Sequence, residues 1–203
     1  FRQQPWVAAL GIPEAQHQAA AGTYALVAVI DTGIDPMHPA LRGRMYEDGY
    51  DFLKNANCGW DAPDGMDNDG NGLIDEAYGH GTHIAGTIAA INPMAMIASY
   101  RVMNSDGVGS AYNVAKAIFV AMAEGADVIN LSLSIDGNSD LVAMALASAV
   151  NSGIDVYSSV GNTSAQGVLF PASLTAENSP VPLKSMFPYA VVSVAAVDEA
   201  DLK

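Results

Sequence analysis

The residue best suited to proton transfer is His80, which lies between two glycines in the segment GHGTHIAG at 79–86. An imidazole has an unperturbed pKa of about 6.5, so it can accept and return a proton near neutral pH. The segment opens a run of apolar and small residues that ends at Ile91 and favours a closely packed helix. The flanking glycines allow a sharp turn and the close approach of another part of the chain. The sequence therefore predicts a general base at the start of a buried helix.

Taken alone, a histidine between glycines is more often a turn residue, but Asp31 favours the catalytic interpretation. Residues 25–30 are an uninterrupted apolar run with the length of a buried strand, and Asp31 follows them directly. Open α/β sheets place their sites at the carboxyl ends of such buried parallel strands. Asp31 is therefore expected at a functional edge of the sheet.

Two segments, VIDTGID at 29–35 and HGTHIAG at 80–86, match two of the three signature motifs of the subtilisin-like serine proteases (subtilases) residue for residue. The order Asp before His is also that of this family. The resemblance implies a secreted serine endopeptidase of bacterial type that acts on a peptide or protein substrate. In that mechanism His80 takes the proton of a nucleophilic serine and returns it to the leaving amine, while Asp31 fixes the imidazole tautomer and stabilises the imidazolium.

The resemblance extends to the oxyanion site and the substrate groove. Asn162 in VGN at 160–162 matches the family's Ala-Gly-Asn, whose neutral side-chain amide donates to the oxyanion. One rim of the groove would be Gly107, Val108 and Gly109, and the other would be Ser132, Leu133 and Ser134. Since Ser134 stands where the family has glycine, its side chain would narrow the primary specificity pocket.

The third signature, Gly-Thr-Ser-Met-Ala with the nucleophilic serine, is absent from the sequence. Ser164 is only superficially similar, because it follows Asn162 where the family has a loop. Three interpretations stay open. The serine belongs to a C-terminal fragment or companion chain, the chain is a gene product that cannot catalyse, or it is an inactive, calcium-dependent peptide-binding or structural module.

A calcium site is predicted within the acidic insertion 55–78. Its core, DNDGNGLIDE at 67–76, has oxygen-bearing residues at alternate positions and glycine at the sixth, as in EF-hand loops. Similar loops occur between Asp and His in some subtilases. The expected ligands of a structural Ca²⁺ are Asp67, Asp69, Asn71, the Leu73 carbonyl and Asp75. Position twelve of the loop is Tyr78 and not Glu, so Asp75, Asp61, Asp64 or Glu76 is expected to complete the shell. The alternative is a solvated turn.

Composition limits the class of protein. The 203 residues, half of them hydrophobic, suffice for one domain with a substantial core. A net charge of −14 argues against a nucleic-acid partner, whose phosphates bind Lys and Arg. No apolar run is long enough to cross a bilayer, so no membrane partner is expected. The single cysteine, Cys58, excludes an internal disulfide. The start at Phe1 without a signal peptide suggests a processed form.

Buried apolar runs alternate with helical segments along the chain, which requires crossover connections between parallel strands. The strands are expected at 25–31, 95–103, 127–133, 154–159 and 190–197, and the helices at 80–91, 110–124 and 139–152. The predicted fold is therefore a three-layer, subtilisin-like α/β domain spanning 1–203. It has a central, mainly parallel sheet with helices on both faces and is incomplete at its C-terminus.

Overall fold

The structure is a computed structural model that describes residues 5–19, 24–47, 49–162, 167–174 and 191–196. Its helices are α1 (Pro5–Ala9), α2 (Ile12–Ala19), α3 (His80–Ile91), α4 (Ala111–Ala123) and α5 (Asp140–Asn151). Its strands are β1 (Leu26–Asp31), β2 (Tyr50–Asp51), β3 (Met96–Arg101), β4 (Val128–Leu131), β5 (Asp155–Ser159) and β6 (Val192–Val194).

The strands form one sheet in the order β2-β3-β1-β4-β5-β6, and every neighbouring pair is parallel. The predicted parallel α/β sheet is therefore confirmed. Strand β1 lies inside the sheet, between β3 and β4, and Asp31 at its end is in register with Arg101. Because all strands run in one direction, their carboxyl ends share one edge.

Alternate side chains of β1 face two separate cores. Val27 and Val29 pack with Ala85 and Ala89 of α3 on one face. Ala28 and Ile30 pack on the other face against a larger core to which α4 and α5 contribute. The period-two alternation of a strand thus buries β1 on both sides, and the predicted helices on both faces of the sheet are confirmed.

The element boundaries depend on caps that the sequence contains. Ser110 caps α4 by accepting the Asn113 N–H, and Ser139 caps α5 by accepting the Val142 N–H. Helix α3 has the predicted bounds, while α4, α5 and the strands β1, β3, β4 and β5 are shorter than predicted by one or a few residues at their ends. For the last strand, only 191–196 of the predicted 190–197 lie within the described residues. Segment 55–78 consists of turns and bends.

Beyond β4, the side of the sheet that carries α3 is exposed. Tyr157, Val192 and Val194 lie on this side and are 36%, 46% and 50% exposed. Among the helices of the described residues, none is long and apolar enough to span a bilayer.

Candidate active site

The centre of the site is the pair formed by Asp31 and His80. Asp31 is the last residue of β1 and His80 is the first of α3, and His80 Nδ1 lies 2.7 Å from Asp31 Oδ1. The Asp31 side chain is fully buried, whereas 43% of the His80 side chain is exposed. The predicted contact is therefore present, and the imidazole retains a face that a reactant can approach.

Close packing of glycines brings the strand end and the helix start together. Gly79 precedes α3 with φ of 88°, a conformation that favours glycine. A Cβ added at Gly81 would lie 2.3 Å from the Gly33 carbonyl oxygen and 3.2 Å from the Asp31 carboxylate. No side chain fits at this position without moving α3 away from β1.

The surroundings of His80 favour its protonated form. The pKa of His80 is raised above its usual value of 6.5, first by the hydrogen bond to Asp31 and further by the negative charges of Asp31 and Asp61. Partial burial of the ring opposes this rise. An imidazole beside a buried carboxylate is a stronger proton acceptor than a free one, as a general base requires.

Arg101 is a part of the site that sequence reasoning missed. Its side chain is 4% exposed and forms an ion pair with Asp51, with 3.1 Å between the nitrogen and oxygen atoms. The same guanidinium donates to the backbone carbonyls of Thr32 and Ala62. The sequence did contain one signal, a charged residue at the end of the buried strand β3. Because buried arginines are almost always paired, this residue indicated a buried partner with negative charge.

The two predicted rims line one groove at the carboxyl edge of the sheet. A cavity of about 340 Å³ is bounded by Gly107, Val108 and Gly109 on one side and by Leu133 and Ser134 on the other. The first rim is anchored at the active site, because Val102 and Met103 both donate backbone N–H groups to the Asp31 carbonyl. Ser132 does not line this groove, and its hydroxyl donates to the Asn130 side chain.

Asn162 lies shortly after β5, on the same edge of the sheet as Asp31, and its side chain is exposed. Gly161 before it has φ of 95° and packs against Leu169, so that a Cβ there would meet the leucine side chain at 2.5 Å. Ser164, the superficial match to the nucleophile, lies outside the described residues.

The predicted calcium loop is folded by its own hydrogen bonds. The Asp67 carboxylate accepts N–H groups from Gly70, Asn71 and Gly72, and the Gly72 bond is the largest cause of its lowered pKa. The side-chain amide of Asn71 lies between the carboxylates of Asp69 and Glu76. A lowered pKa keeps Asp67 ionised, which suits a hard cation.

Asp75 and Asp61 are placed differently from the other expected ligands. Asp75 has φ of 55°, and its carboxylate accepts the N–H groups of Asp64 and Gly65. Its pKa is lowered mainly by the Ser105 hydroxyl. Asp61 instead contacts Thr32 and Gly79, beside the Asp–His pair. Within the described ranges, no three acidic, histidine or cysteine side chains converge on one point.

The calcium loop also supports the first rim of the groove. The Ala77 N–H donates to the Ser105 carbonyl, and the Asn68 N–H donates to the Asp106 carboxylate, which is 8% exposed. The Asn68 and Asn104 side chains are hydrogen bonded at 2.7 Å. The insertion is therefore packed onto residues 104–106, directly before the rim.

Comparison with known proteins gives a match to a protein family. Residues 22–202 match the model of the subtilase family, peptidase S8. The chain is 33% identical over 205 residues to the thermostable alkaline protease of Halalkalibacterium halodurans, covering 96% of this chain and 48% of that protein. It is 37% identical over 150 residues to the minor extracellular protease Vpr of Bacillus subtilis, covering 70% of this chain and 18% of Vpr.

A solved structure gives the same result for the fold. The crystal structure of a lanthipeptide protease superposes with a TM-score of 0.53 at 31% identity, over 68% of this chain and 39% of that one. The chain spans about half the length of the first curated relative.

Proposed function

Because the chain belongs to the subtilase family, we propose that it is the Asp- and His-bearing part of a secreted serine endopeptidase. The observation that carries the proposal is the 2.7 Å contact between His80 and the buried Asp31, at the strand edge where two rims form a groove. Relatives that are proteases by name, one of them extracellular, support it.

The proposed reaction is peptide-bond hydrolysis with four protein groups in defined roles. A serine from a segment outside the sequence described here attacks the carbonyl carbon, and His80 accepts its proton. Asp31 holds the imidazole by its Nδ1 atom and stabilises the imidazolium. The Asn162 amide donates to the oxyanion. His80 then protonates the leaving amine as the C–N bond breaks, and water releases the acyl group by the same route.

The groove would hold the substrate as an extended chain. Residues 107–109 would form one rim of this groove, and Leu133 and Ser134 would form the opposite rim. The apolar residues Val108 and Leu133 both line the cavity. Ser134 lines it where the family has glycine, and this favours small side chains in the primary pocket.

We also propose a structural Ca²⁺ in the loop 67–76. The residues that would hold it are Asp67, Asp69, Asn71, the Leu73 carbonyl and Asp75, and Glu76 beside Asn71 supplies a further carboxylate. The carboxylates of Asp67 and Asp75 both accept backbone N–H groups, which hold them in fixed positions. When bound, the ion would neutralise the carboxylates that crowd this loop.

The second candidate is a catalytically inactive, calcium-dependent peptide-binding module. The observation that favours it is the groove, which residues of this chain form without a further segment. Loss of the serine alone lowers kcat by about 10⁶-fold in subtilisin, so this chain would bind peptide without efficient turnover.

An activity assay with a serine reagent separates the candidates. The 203-residue chain alone is expected to show no triad-dependent hydrolysis and no stoichiometric reaction with an active-site serine reagent. Addition of a C-terminal segment carrying the signature should restore an endopeptidase activity that the reagent abolishes and that Asp31→Asn lowers by about 10⁴-fold. If the chain alone reacts stoichiometrically, its nucleophile lies within this sequence and the proposal is wrong. If the added segment restores nothing, the binding module is favoured.

A further inference from the structure

We propose that Asp61 is a positioning residue for His80 that acts through the two neighbours of the histidine in the chain. The inference rests on the proposed proteolytic function. Asp61 lies outside both signature motifs, in the insertion before the calcium loop.

Asp61 is linked to the backbone amides on both sides of His80, directly to one and through Thr32 to the other. Its Oδ2 atom accepts the Gly79 N–H at 2.6 Å and the Thr32 hydroxyl at 3.4 Å. The same hydroxyl accepts the Gly81 N–H at 3.2 Å. The amide before the histidine and the amide after it are therefore held by one network, which joins α3 to the end of β1.

Helix α3 needs such a partner because it has no cap of its own. The N-cap residue is Gly79, which has no side chain to accept the free N–H groups of the first turn. A carboxylate at this end of a helix is also favoured by the helix dipole. From distant parts of the chain, Thr32 accepts the Gly81 N–H as Ser or Asp does in an ordinary cap, and Asp61 accepts the N–H of the N-cap residue as the Glu of a capping box does.

The position of Asp61 is itself fixed by the backbone. Its N–H donates to the Ile34 carbonyl at 3.3 Å, and the Ile34 N–H donates to the Gly59 carbonyl at 3.1 Å. Arg101 bonds the carbonyls of Thr32 and Ala62. The segment 59–62 is thus tied to the end of β1, so the carboxylate is held in place before substrate binds.

Charge provides a second connection between Asp61 and His80. The charged groups that act on the imidazole are Asp31 and Asp61, and both raise the pKa of His80. The pKa of Asp61 itself is raised above its usual value by burial, and the Gly79 hydrogen bond and the positive charge of Arg101 offset only part of this rise. Removal of the Asp61 charge should therefore lower the pKa of His80 even when the fold is unchanged.

The test is NMR of His80 in the 203-residue chain, which needs no catalytic activity. Asp61→Asn keeps the shape of the side chain and removes its charge, and is expected to lower the pKa of His80 while retaining the downfield Nδ1 proton bonded to Asp31. Asp61→Ala removes the acceptor as well, and is expected to lower the pKa and to broaden or abolish that proton signal. Asp155→Asn, which makes the same charge change at the opposite edge of the sheet, is expected to leave both unchanged.

Three results would overturn the proposal. The first is a wild-type pKa of His80 together with a wild-type Nδ1 proton signal in both Asp61 variants. The second is a fall of the His80 pKa in Asp155→Asn that equals the fall in the Asp61 variants. If Asp61→Ala does not fold, an unchanged pKa in Asp61→Asn is sufficient. A wild-type chain without the downfield proton would instead contradict the Asp31–His80 pair, and the proposed function would fail with this inference. If the wild type shows the downfield proton and the Asp61 variants show the expected changes, the positioning role of Asp61 is supported.

Discussion

Replacement of Gly81 by alanine should separate the Asp–His pair while changing no catalytic side chain. The added Cβ would lie 2.3 Å from the Gly33 carbonyl oxygen, so α3 has to retreat from β1 by roughly 1 Å. Overpacking of this kind lowers the free energy of unfolding by about 1–3 kcal/mol. For a domain of this size that corresponds to a Tm lower by about 2–12 °C.

The matched control lies one and a half turns along the same helix. Among the described residues, no atom outside the backbone of the helix itself lies within 4 Å of a Cβ added at Gly86. Gly86→Ala should therefore raise the free energy of unfolding by about 0.5–1 kcal/mol, because alanine loses less backbone entropy in a helix. The two variants make the same chemical change and differ only in the space available.

Thermal unfolding, followed by circular dichroism, measures both effects, and the Nδ1 proton of His80 reports on the pair. Gly81→Ala is expected to melt below the wild type and to weaken that proton signal, whereas Gly86→Ala should melt above it with the signal intact. In the assembled protease, a displacement of about 1 Å should lower kcat by about 10²-fold. Equal Tm values for the two variants would refute the argument that β1 and α3 are in closest contact at Gly81.

Three further predictions concern the buried ion pair, the calcium loop and pH. Arg101→Met should lower the free energy of unfolding by about 3–5 kcal/mol in urea titrations, because Asp51 stays buried without its partner. The control is Arg42→Met at an exposed position, and an equal loss of stability in both variants would contradict the role given to the buried Arg101–Asp51 pair. Calcium should raise the Tm in thermal melts and a chelator should lower it, with Asp67→Asn removing the difference; coincident curves without bound ion would exclude the site. Since the folded-state pKa of His80 lies above the unfolded value, its stabilisation is complete below about pH 6.5 and disappears as the pH rises through the folded pKa. The difference in unfolding free energy between the wild type and His80→Gln should therefore be largest at about pH 5. A difference that grows as the pH rises would contradict the prediction.

The sheet and the Asp–His contact could be predicted from the sequence because each has a local signal. Apolar runs of strand length alternate with helical segments, and parallel strands then follow from the connections that such an order allows. The position of Asp31 at the end of a buried strand and of His80 at the start of a small-residue helix needed only the two motifs. Strand ends were harder to predict, because apolar residues such as Val102 continue past the last ladder pair of β3.

The surroundings of the pair could not be predicted, because they depend on tertiary contacts made by backbone groups. Arg101 meets Asp51 across 50 residues and the Ala62 carbonyl across 39. An N–H or carbonyl group is present at every position and gives no signal in the sequence. Glu76 and Asp75 are adjacent in the predicted calcium loop, but Asp75, whose backbone is left-handed, accepts the Asp64 N–H, whereas Glu76 accepts the side-chain amide of Asn71.

The same reasoning explains why the sequence alone places Asp61 among the candidate ligands of the predicted calcium loop. In the sequence it is one acidic residue among many in 55–78, and cation binding is the simplest use of such a cluster. In the structure, Gly33 has φ of 103° and packs so closely on 60–61 that a Cβ there would lie 2.7 Å from the Asp61 nitrogen. Position 33 of the signature motif therefore has to be glycine, because the backbone of Asp61, outside the motif, leaves no room for a Cβ. The insertion thus has two parts. Asp61 contacts the end of β1 and the start of α3, and the proposed calcium loop contacts residues 104–106, directly before the first rim of the groove.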